Sequence, residues 1–314
     1  MSTRHEIVSM GGFADWMSKE LVEAYTVHDL STAPDRAAML AAAAGVTAVV
    51  TNGGTGIDGA TIERLPKLKL VSNFGIGYDK VDLPALKRRG ATLTNTPGVV
   101  ERCVADHAIG LMIALTRKIA LAARLGHAGV WDKSPIGLTR RVSGSKLGIL
   151  GMGAIGAEIA KRASGFDMAI GYHNRRKRGD TEHRYFPSLI ELAAWADHLV
   201  IACPGGAETR HMVDRAVLEA LGTKGAVINI ARGTIVDEAA LASALRSGKL
   251  GGAALDVFDV EPGYPAGLVG LDNVVLTPHI AGSTQETWRE AFDITLANLA
   301  AHFAGKELLT PVKF

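Results

Sequence analysis

The chain has 314 residues, 47% of them apolar and 21% charged, with a net charge of +2 and a pI of about 8.5. That length predicts about two domains with enough apolar surface for large cores. The charge is too small and too scattered to point to a nucleic acid or a membrane surface as partner. The longest notable apolar run, residues 108–115, falls well short of a membrane span. Cys103 and Cys203 lie in apolar surroundings and read as buried thiols of a reducing compartment, although one disulfide is compatible with the sequence. The opening Met1-Ser2-Thr3-Arg4-His5-Glu6 carries no signal-type apolar core, so the cytoplasm is the expected location.

In chain order, strands are predicted at residues 6–9, 25–28, 47–51, 69–73 and 91–95. Helical patterns separate them, from Phe13 onward and over 36–44, 57–65 and 83–89. Such alternation implies a parallel sheet covered on both faces, closing a first small α/β domain near Gly98. Two of its strand ends run into glycine-rich loops, Thr51-Asn52-Gly53-Gly54 and Asn73-Phe74-Gly75-Ile76-Gly77-Tyr78-Asp79. These glycines either turn N–H groups toward an anion such as a carboxylate or only make turns, and fold physics alone leaves both open. Residues 99–125 are predicted to form one long helix, apolar nearly all round and therefore buried between domains or subunits. Residues 126–142, with Trp131, Pro135 and Ile136, read either as an arm packed on a partner subunit or as a surface loop over the chain's own core.

A second domain is predicted from Lys146, with strands at 147–150, 168–172, 198–202, 226–230, 253–257 and 274–276. After its first strand come Gly151-Met152-Gly153-Ala154-Ile155-Gly156 and a helical pattern over 154–164. Strand, G-x-G-x-x-G turn, helix and strand is the context a dinucleotide fingerprint requires. Gly151 permits the tight turn, Gly153 the approach of a pyrophosphate, and Gly156 close helix–strand packing; the helix N-terminus supplies free N–H groups. An NAD site usually has Asp or Glu at the end of the next strand for the ribose 2′-OH. Here His173, Asn174, Arg175 and Arg176 stand there, and no carboxylate follows until Asp180. Guanidinium groups grip a 2′-phosphate, which predicts NADP(H) over NAD(H), with NAD(H) still possible. A merely solvated basic turn is the alternative. A final helix over 284–304 is predicted to return to the first domain. The expected division is therefore 1–98 with 284–314 as substrate domain and 99–283 as Rossmann domain, with the chemistry in the cleft between two doubly wound sheets.

Three further strand ends carry reactive residues: Arg232 after Ile230-Ala231, Glu261 after Asp256-Val257-Phe258, and His279 within Thr277-Pro278-His279-Ile280-Ala281-Gly282. Reduction of a 2-keto acid needs a cation at the carboxylate and a proton donor at the carbonyl oxygen. Arg232 fits the first with its fork, and His279 fits the second. Glu261 can orient the far nitrogen of His279 and favour the imidazolium.

With these motifs the chain resembles the D-isomer-specific 2-hydroxyacid dehydrogenase family over nearly its whole length. The matching stretches are residues 151–156, Asn229-Ile230-Ala231-Arg232-Gly233, Leu255-Asp256-Val257-Phe258 with Glu261-Pro262, and Thr277-Pro278-His279-Ile280. The resemblance implies a flavodoxin-like substrate domain, substrate binding and polarisation by Arg232, and proton supply by the Glu261–His279 pair. It further implies a carboxylate grip by the Gly75-Ile76-Gly77 backbone, with Asn52 nearby on the substrate. Asp256 would hold the nicotinamide carboxamide, and the Cys203-Pro204 loop, Ile230, Ala231 and Gly282 would line the cofactor. A homodimer through the long helix and the Trp131 arm is also implied. Gly205 and Gly206 stand where the family more often has Leu-Thr, which predicts a looser cofactor loop, and Glu101-Arg102 replaces small or acidic residues. The Asn174-Arg175-Arg176 ending resembles NADPH-preferring glyoxylate/hydroxypyruvate reductases, implying reduction of a small 2-keto acid to the D-2-hydroxy acid, with hydride to C2. The alternatives are an aromatic 2-keto acid reductase, another D-2-hydroxyacid dehydrogenase, or a dinucleotide-sensing binding protein. No zinc motif is present, so metal catalysis is not expected.

Overall fold

In a computed structural model, which describes residues 4–131 and 136–314, the chain forms two compact units. One runs to Val100 and resumes over Thr284–Phe314; the other is Glu101–Ser283.

The first unit holds five parallel strands, β1 (Glu6–Ser9), β2 (Thr26–Asp29), β3 (Ala48–Asn52), β4 (Leu70–Phe74) and β5 (Thr92–Thr94). Their spatial order is β2-β1-β3-β4-β5. The two-residue period of a strand divides their side chains between two cores. Val8, Val49 and Val71 face Leu40, Ile62 and Leu86 on one side. Ile7, Val50 and Leu70 face Met17, Leu21, Phe292 and Leu299 on the other. Phe292 and Leu299 belong to the last helix, Gln285–Phe303, which covers this face of the sheet.

The second unit holds seven strands: β6 (Lys146–Leu150), β7 (Ala169–His173), β8 (Arg184–Tyr185), β9 (His198–Ile201), β10 (Ala226–Asn229), β11 (Gly252–Leu255) and β12 (Val274–Leu276). All are parallel, in the order β12-β11-β10-β9-β6-β7-β8. The order reverses between β6 and β9, the switch point where doubly wound sheets take ligands at their carboxyl ends. The two-residue β8 has too short a pattern to be seen in sequence.

The single long helix expected over 99–125 is two helices, Glu101–Thr116 and Ile119–His127. Lys118 separates them in the left-handed region at φ 53°, and its Nζ donates to Ile136 O at 2.7 Å. Apolar residues continue on both sides of this break, so periodicity alone conceals it. The first helix is buried along Val104, Ala105, Ala108, Met112 and Leu115; in the second only Leu121 is buried. Trp131 and Leu138 in the following arm are almost fully exposed, and Pro135 lies outside the described residues. Cys103 and Cys203 form no disulfide, and burial raises the Cys203 thiol to about 11. No helix among the described residues is long and apolar enough to cross a membrane, and no group of His, Cys, Asp or Glu among them is arranged to hold a metal.

Candidate active site

The glycine turn after β6 is built by close packing at two positions and left open at a third. Gly151 has φ 100°, and a Cβ there would lie 2.5 Å from Cys203 N in the loop after β9. A Cβ on Gly156 would lie 2.2 Å from Gly151 O, so only glycine lets this helix settle on the turn. At Gly153 nothing stands within 4 Å of an added Cβ. Gly153 also starts the helix Ala154–Ser164 without a side-chain cap, whereas Asp35, Asp58, Asp82, Asp214 and Asp237 cap their helices through carboxylates. The first-turn N–H groups around Ala154 and Ile155 are therefore left for an anion. These features fit a dinucleotide pyrophosphate.

Asn174 follows β7 and accepts Met152 N–H through its Oδ1 at 2.7 Å, tying this end of the strand to the glycine turn. Arg178 donates to Met152 O at 2.5 Å and pairs with Asp180, which holds that carboxyl below its usual range. The first carboxylate after β7 is thus already paired. Arg175 and Arg176 remain exposed; Arg175 makes a 3.1 Å pair with Glu208 in which both side chains are at least 80% exposed. The Cys203-Pro204 loop is fastened by Thr209 Oγ1, which donates to Pro204 O at 3.0 Å. Gly205 has a reason beyond looseness: a Cβ there would meet Arg232 Cγ at 2.6 Å.

Arg232 follows β10 after the buried Ile230 and Ala231. Asn229, itself buried, donates to Arg232 O at 2.9 Å and accepts Ala231 N–H at 3.1 Å, fixing the loop that presents the guanidinium. Gly233 lets this loop pack on the one after β11, where a Cβ would fall 1.8 Å from Phe258 C.

A histidine–glutamate corner is formed by the loops that follow β11 and β12. His279 Nδ1 donates to Glu261 Oε2 at 2.7 Å, and Glu261 Oε1 accepts Phe258 N–H at 2.8 Å. The carboxylate fixes the tautomer, because only a protonated Nδ1 can donate to it. The bond to Glu261 holds the His279 pKa above its ordinary value despite burial and the opposing charge of Arg232. Burial would raise the Glu261 carboxyl, but the bonds from His279 and Phe258 N–H outweigh it and the group is lowered. Imidazolium and carboxylate thus support one another.

Two residues expected at the ligands have their polar atoms taken up within the fold. Asp256, assigned to the nicotinamide carboxamide, is fully buried. Its carboxylate accepts Thr277 Oγ1–H at 2.6 Å, Ile280 N–H at 2.9 Å and Ala281 N–H at 2.8 Å. It shapes the loop that carries His279 and runs on to Gly282, and leaves no exposed oxygen for a ligand. Asn52, assigned to substrate, donates to Gly11 O and Gly12 O at 2.9 and 3.2 Å and accepts Gly54 N–H and Thr55 N–H at 2.9 Å. Both donors and both lone pairs of its amide are used in closing a loop.

The Gly75-Ile76-Gly77 segment after β4 is held through its carbonyls. Asn73 Nδ2 donates to Gly75 O and Gly77 O at 3.0 Å, and Asn95 Nδ2 donates to Ile76 O at 3.0 Å. With the carbonyls held, the N–H groups of Ile76 and Gly77 donate to nothing among the described residues. Asn73 and Asn95 carry out this orientation; their side chains gave no sign of it in a run read only for its glycines. Beside the segment Phe74 meets Phe13 at 6.2 Å and Trp288 at 5.9 Å between ring centroids.

Residues 109–281 match the family model for the D-isomer specific 2-hydroxyacid dehydrogenase NAD-binding domain. The chain belongs to the D-isomer-specific 2-hydroxyacid dehydrogenase family. It is 44% identical to glyoxylate/hydroxypyruvate reductase A of Arabidopsis thaliana over 307 residues, 98% of either chain. It is equally 44% identical to hydroxyphenylpyruvate reductase of Plectranthus scutellarioides over 98% of either chain. The solved NADPH-dependent glyoxylate/hydroxypyruvate reductase of Sinorhizobium meliloti, in complex with NADP and malonate, superposes with a TM-score of 0.88 at 35% identity, covering 99% of this chain and 97% of that one. The chain is thus an oxidoreductase of the 2-hydroxyacid type with a nicotinamide-dinucleotide domain.

Proposed function

We propose that this protein reduces a small 2-keto acid of the glyoxylate/hydroxypyruvate class to the D-2-hydroxy acid, using NADPH, as a homodimer in the cytoplasm. The Glu261–His279 pair carries the proposal: a 2.7 Å bond that holds the imidazole protonated above its ordinary range, with its second nitrogen left for a substrate oxygen. Gly151, Gly153, Gly156 and the helix N-terminus would hold the dinucleotide pyrophosphate, and Arg175 and Arg176 its 2′-phosphate. The bound dinucleotide supplies the hydride. Ile76 and Gly77 N–H groups receive the substrate carboxylate, while Arg232 neutralises charge at the carboxylate and carbonyl oxygens. His279 Nε2–H donates to the carbonyl oxygen and releases its proton there as the alcohol forms. Glu261 keeps the ring oriented and ready to regain a proton. The 94% exposed Trp131 and the exposed Leu138 favour a second copy as the arm's partner.

A second substrate reading, an aromatic 2-keto acid, is favoured by the Phe13, Phe74 and Trp288 rings beside the carboxylate segment and by the Plectranthus relative. Oxidation of NADPH and of NADH with glyoxylate, hydroxypyruvate and phenylpyruvate tests both. Highest kcat/KM for the small acids with NADPH is the expected result. Preference for phenylpyruvate would transfer the proposal to the aromatic class, and preference for NADH would remove the ribose role of Arg175 and Arg176.

A further inference from the structure

His107 lies on the helix Glu101–Thr116, and nothing in its sequence context marks it for chemistry. Its Nε2 is 3.1 Å from Thr277 Oγ1 and 3.4 Å from Asp256 Oδ1. The Thr277 hydroxyl gives its one proton to Asp256 at 2.6 Å, so toward His107 it can only accept. His107 therefore carries its proton on Nε2 and donates into the Thr277–Asp256 pair. Asp256 in turn gathers three successive N–H groups: His279 N–H on its backbone carbonyl at 2.8 Å, and Ile280 and Ala281 N–H on its carboxylate. Within that wrap His279 sits at φ 54°, a left-handed conformation that a non-glycine residue keeps only when its surroundings impose it. The chain of bonds runs from a helix side chain, through a buried carboxylate, to the backbone of the proposed proton donor.

We infer that His107 is a positioning residue for His279: through Thr277 and Asp256 it holds the left-handed turn that keeps the His279 ring on Glu261. The inference rests on the reading of His279 as proton donor. The side chain touches neither the Glu261 carboxylate nor the Arg232 guanidinium, so its influence passes through backbone geometry. The charged groups acting on His279 are Glu261, Asp256 and Arg232; of these His107 meets only Asp256, whose carboxyl it helps to hold below its usual range. A loosened turn would weaken the Nδ1–Glu261 bond, and the imidazolium would lose its proton at lower pH.

The test is the pH dependence of NADPH-driven keto-acid reduction in His107→Leu, His107→Gln and Thr277→Val. His107→Leu keeps bulk and removes the donor, whereas a Gln amide places a donor close to the Nε2 position. Expected for His107→Leu is a fall in kcat of about tenfold, with KM for NADPH within about twofold, and an alkaline limb of kcat/KM moved to lower pH. His107→Gln should restore kcat to within about threefold of the parent and return the limb. Thr277→Val, which breaks the same link from the other side, should reproduce the Leu phenotype, and keeps the test open if His107→Leu does not fold. An unchanged limb in both His107→Leu and Thr277→Val, or equal losses in the Leu and Gln variants, overturns the positioning role. The two readings fail separately: wild-type turnover in His279→Ala removes the proton donor itself, while a dead His279→Ala beside an unaffected His107→Leu removes only this inference.

Discussion

Two strand-end loops of the same sheet carry the charges most important to the proposed chemistry, and they are built in opposite ways. The corner at His279 is held by a buried carboxylate, three backbone N–H groups and a glutamate at 2.7 Å. The turn at Arg175 and Arg176 projects into solvent, with one exposed ion pair at 3.1 Å. A reacting proton tolerates little positional error, so its donor sits in a network that allows almost none. A phosphate is a diffuse dianion with several acceptor oxygens, and long solvated guanidinium groups can close around it on arrival. The first loop should therefore fail by orders of magnitude when cut, and the second by graded amounts that salt can modulate.

The largest expected effect is at the corner itself. His279→Ala should lower turnover by about 10²–10⁴-fold, the usual contribution of a placed general acid, and steady-state kinetics would show it in kcat. Glu261→Gln is the sharper probe. The His279 pKa is raised chiefly by the bond from Glu261, so reduction should be full below that raised value and lost as pH climbs through it. Removing the carboxylate should pull the alkaline limb of kcat/KM toward lower pH and cost about ten- to a hundredfold at the high-pH end, in line with the roughly 1.5–3 kcal/mol of a hydrogen bond to a charged group. An alkaline limb that does not move would mean that Glu261 holds the loop and not the proton.

At the other loop, Arg175→Ala and Arg176→Ala should each reduce the NADPH-over-NADH preference in kcat/KM by about tenfold, the lower end for a charge-assisted contact made at an exposed site. KM for NADPH should rise with ionic strength in the parent and less steeply in the double variant. Equal loss with both dinucleotides would place these arginines outside the ribose site.

The same contrast explains what could be read from the sequence. The parallel sheets, the glycine fingerprint and the positions of Arg232, Glu261 and His279 were legible, because each rests on local patterns: short apolar runs, fixed glycine spacing, and charged residues just past a strand. The break at Lys118 was hidden, since a left-handed residue leaves the apolar periodicity on either side intact. The loop-closing contacts of Asp256 and Asn52 were hidden for a different reason. A polar residue at a strand end is compatible with gripping a ligand or with closing a loop, and only the positions of Thr277, Ile280, Ala281, Gly11 and Gly12 decide. His107 and Asn73 were missed because their partners, 170 residues away in one case and backbone carbonyls in the other, have no sequence signature.

The smallest effect separates the two loops most finely. Glu208 pairs with Arg175 at the surface, and exposed pairs contribute only about 0.2–1 kcal/mol. Its carboxylate also places a negative charge beside the guanidinium proposed to meet a 2′-phosphate. Glu208→Gln should therefore release Arg175 and remove a repulsion at once, lowering KM for NADPH by no more than about fivefold while leaving KM for NADH unchanged. Raising the salt concentration should shrink the gain, because both charges are solvated and screened. No comparable replacement near His279 should improve anything: there each charge already has its partner, so deleting one strands the other. A Glu208→Gln variant that bound NADPH more weakly would show the ion pair to be a strut for the turn, and would move the basic loop toward the preorganised kind.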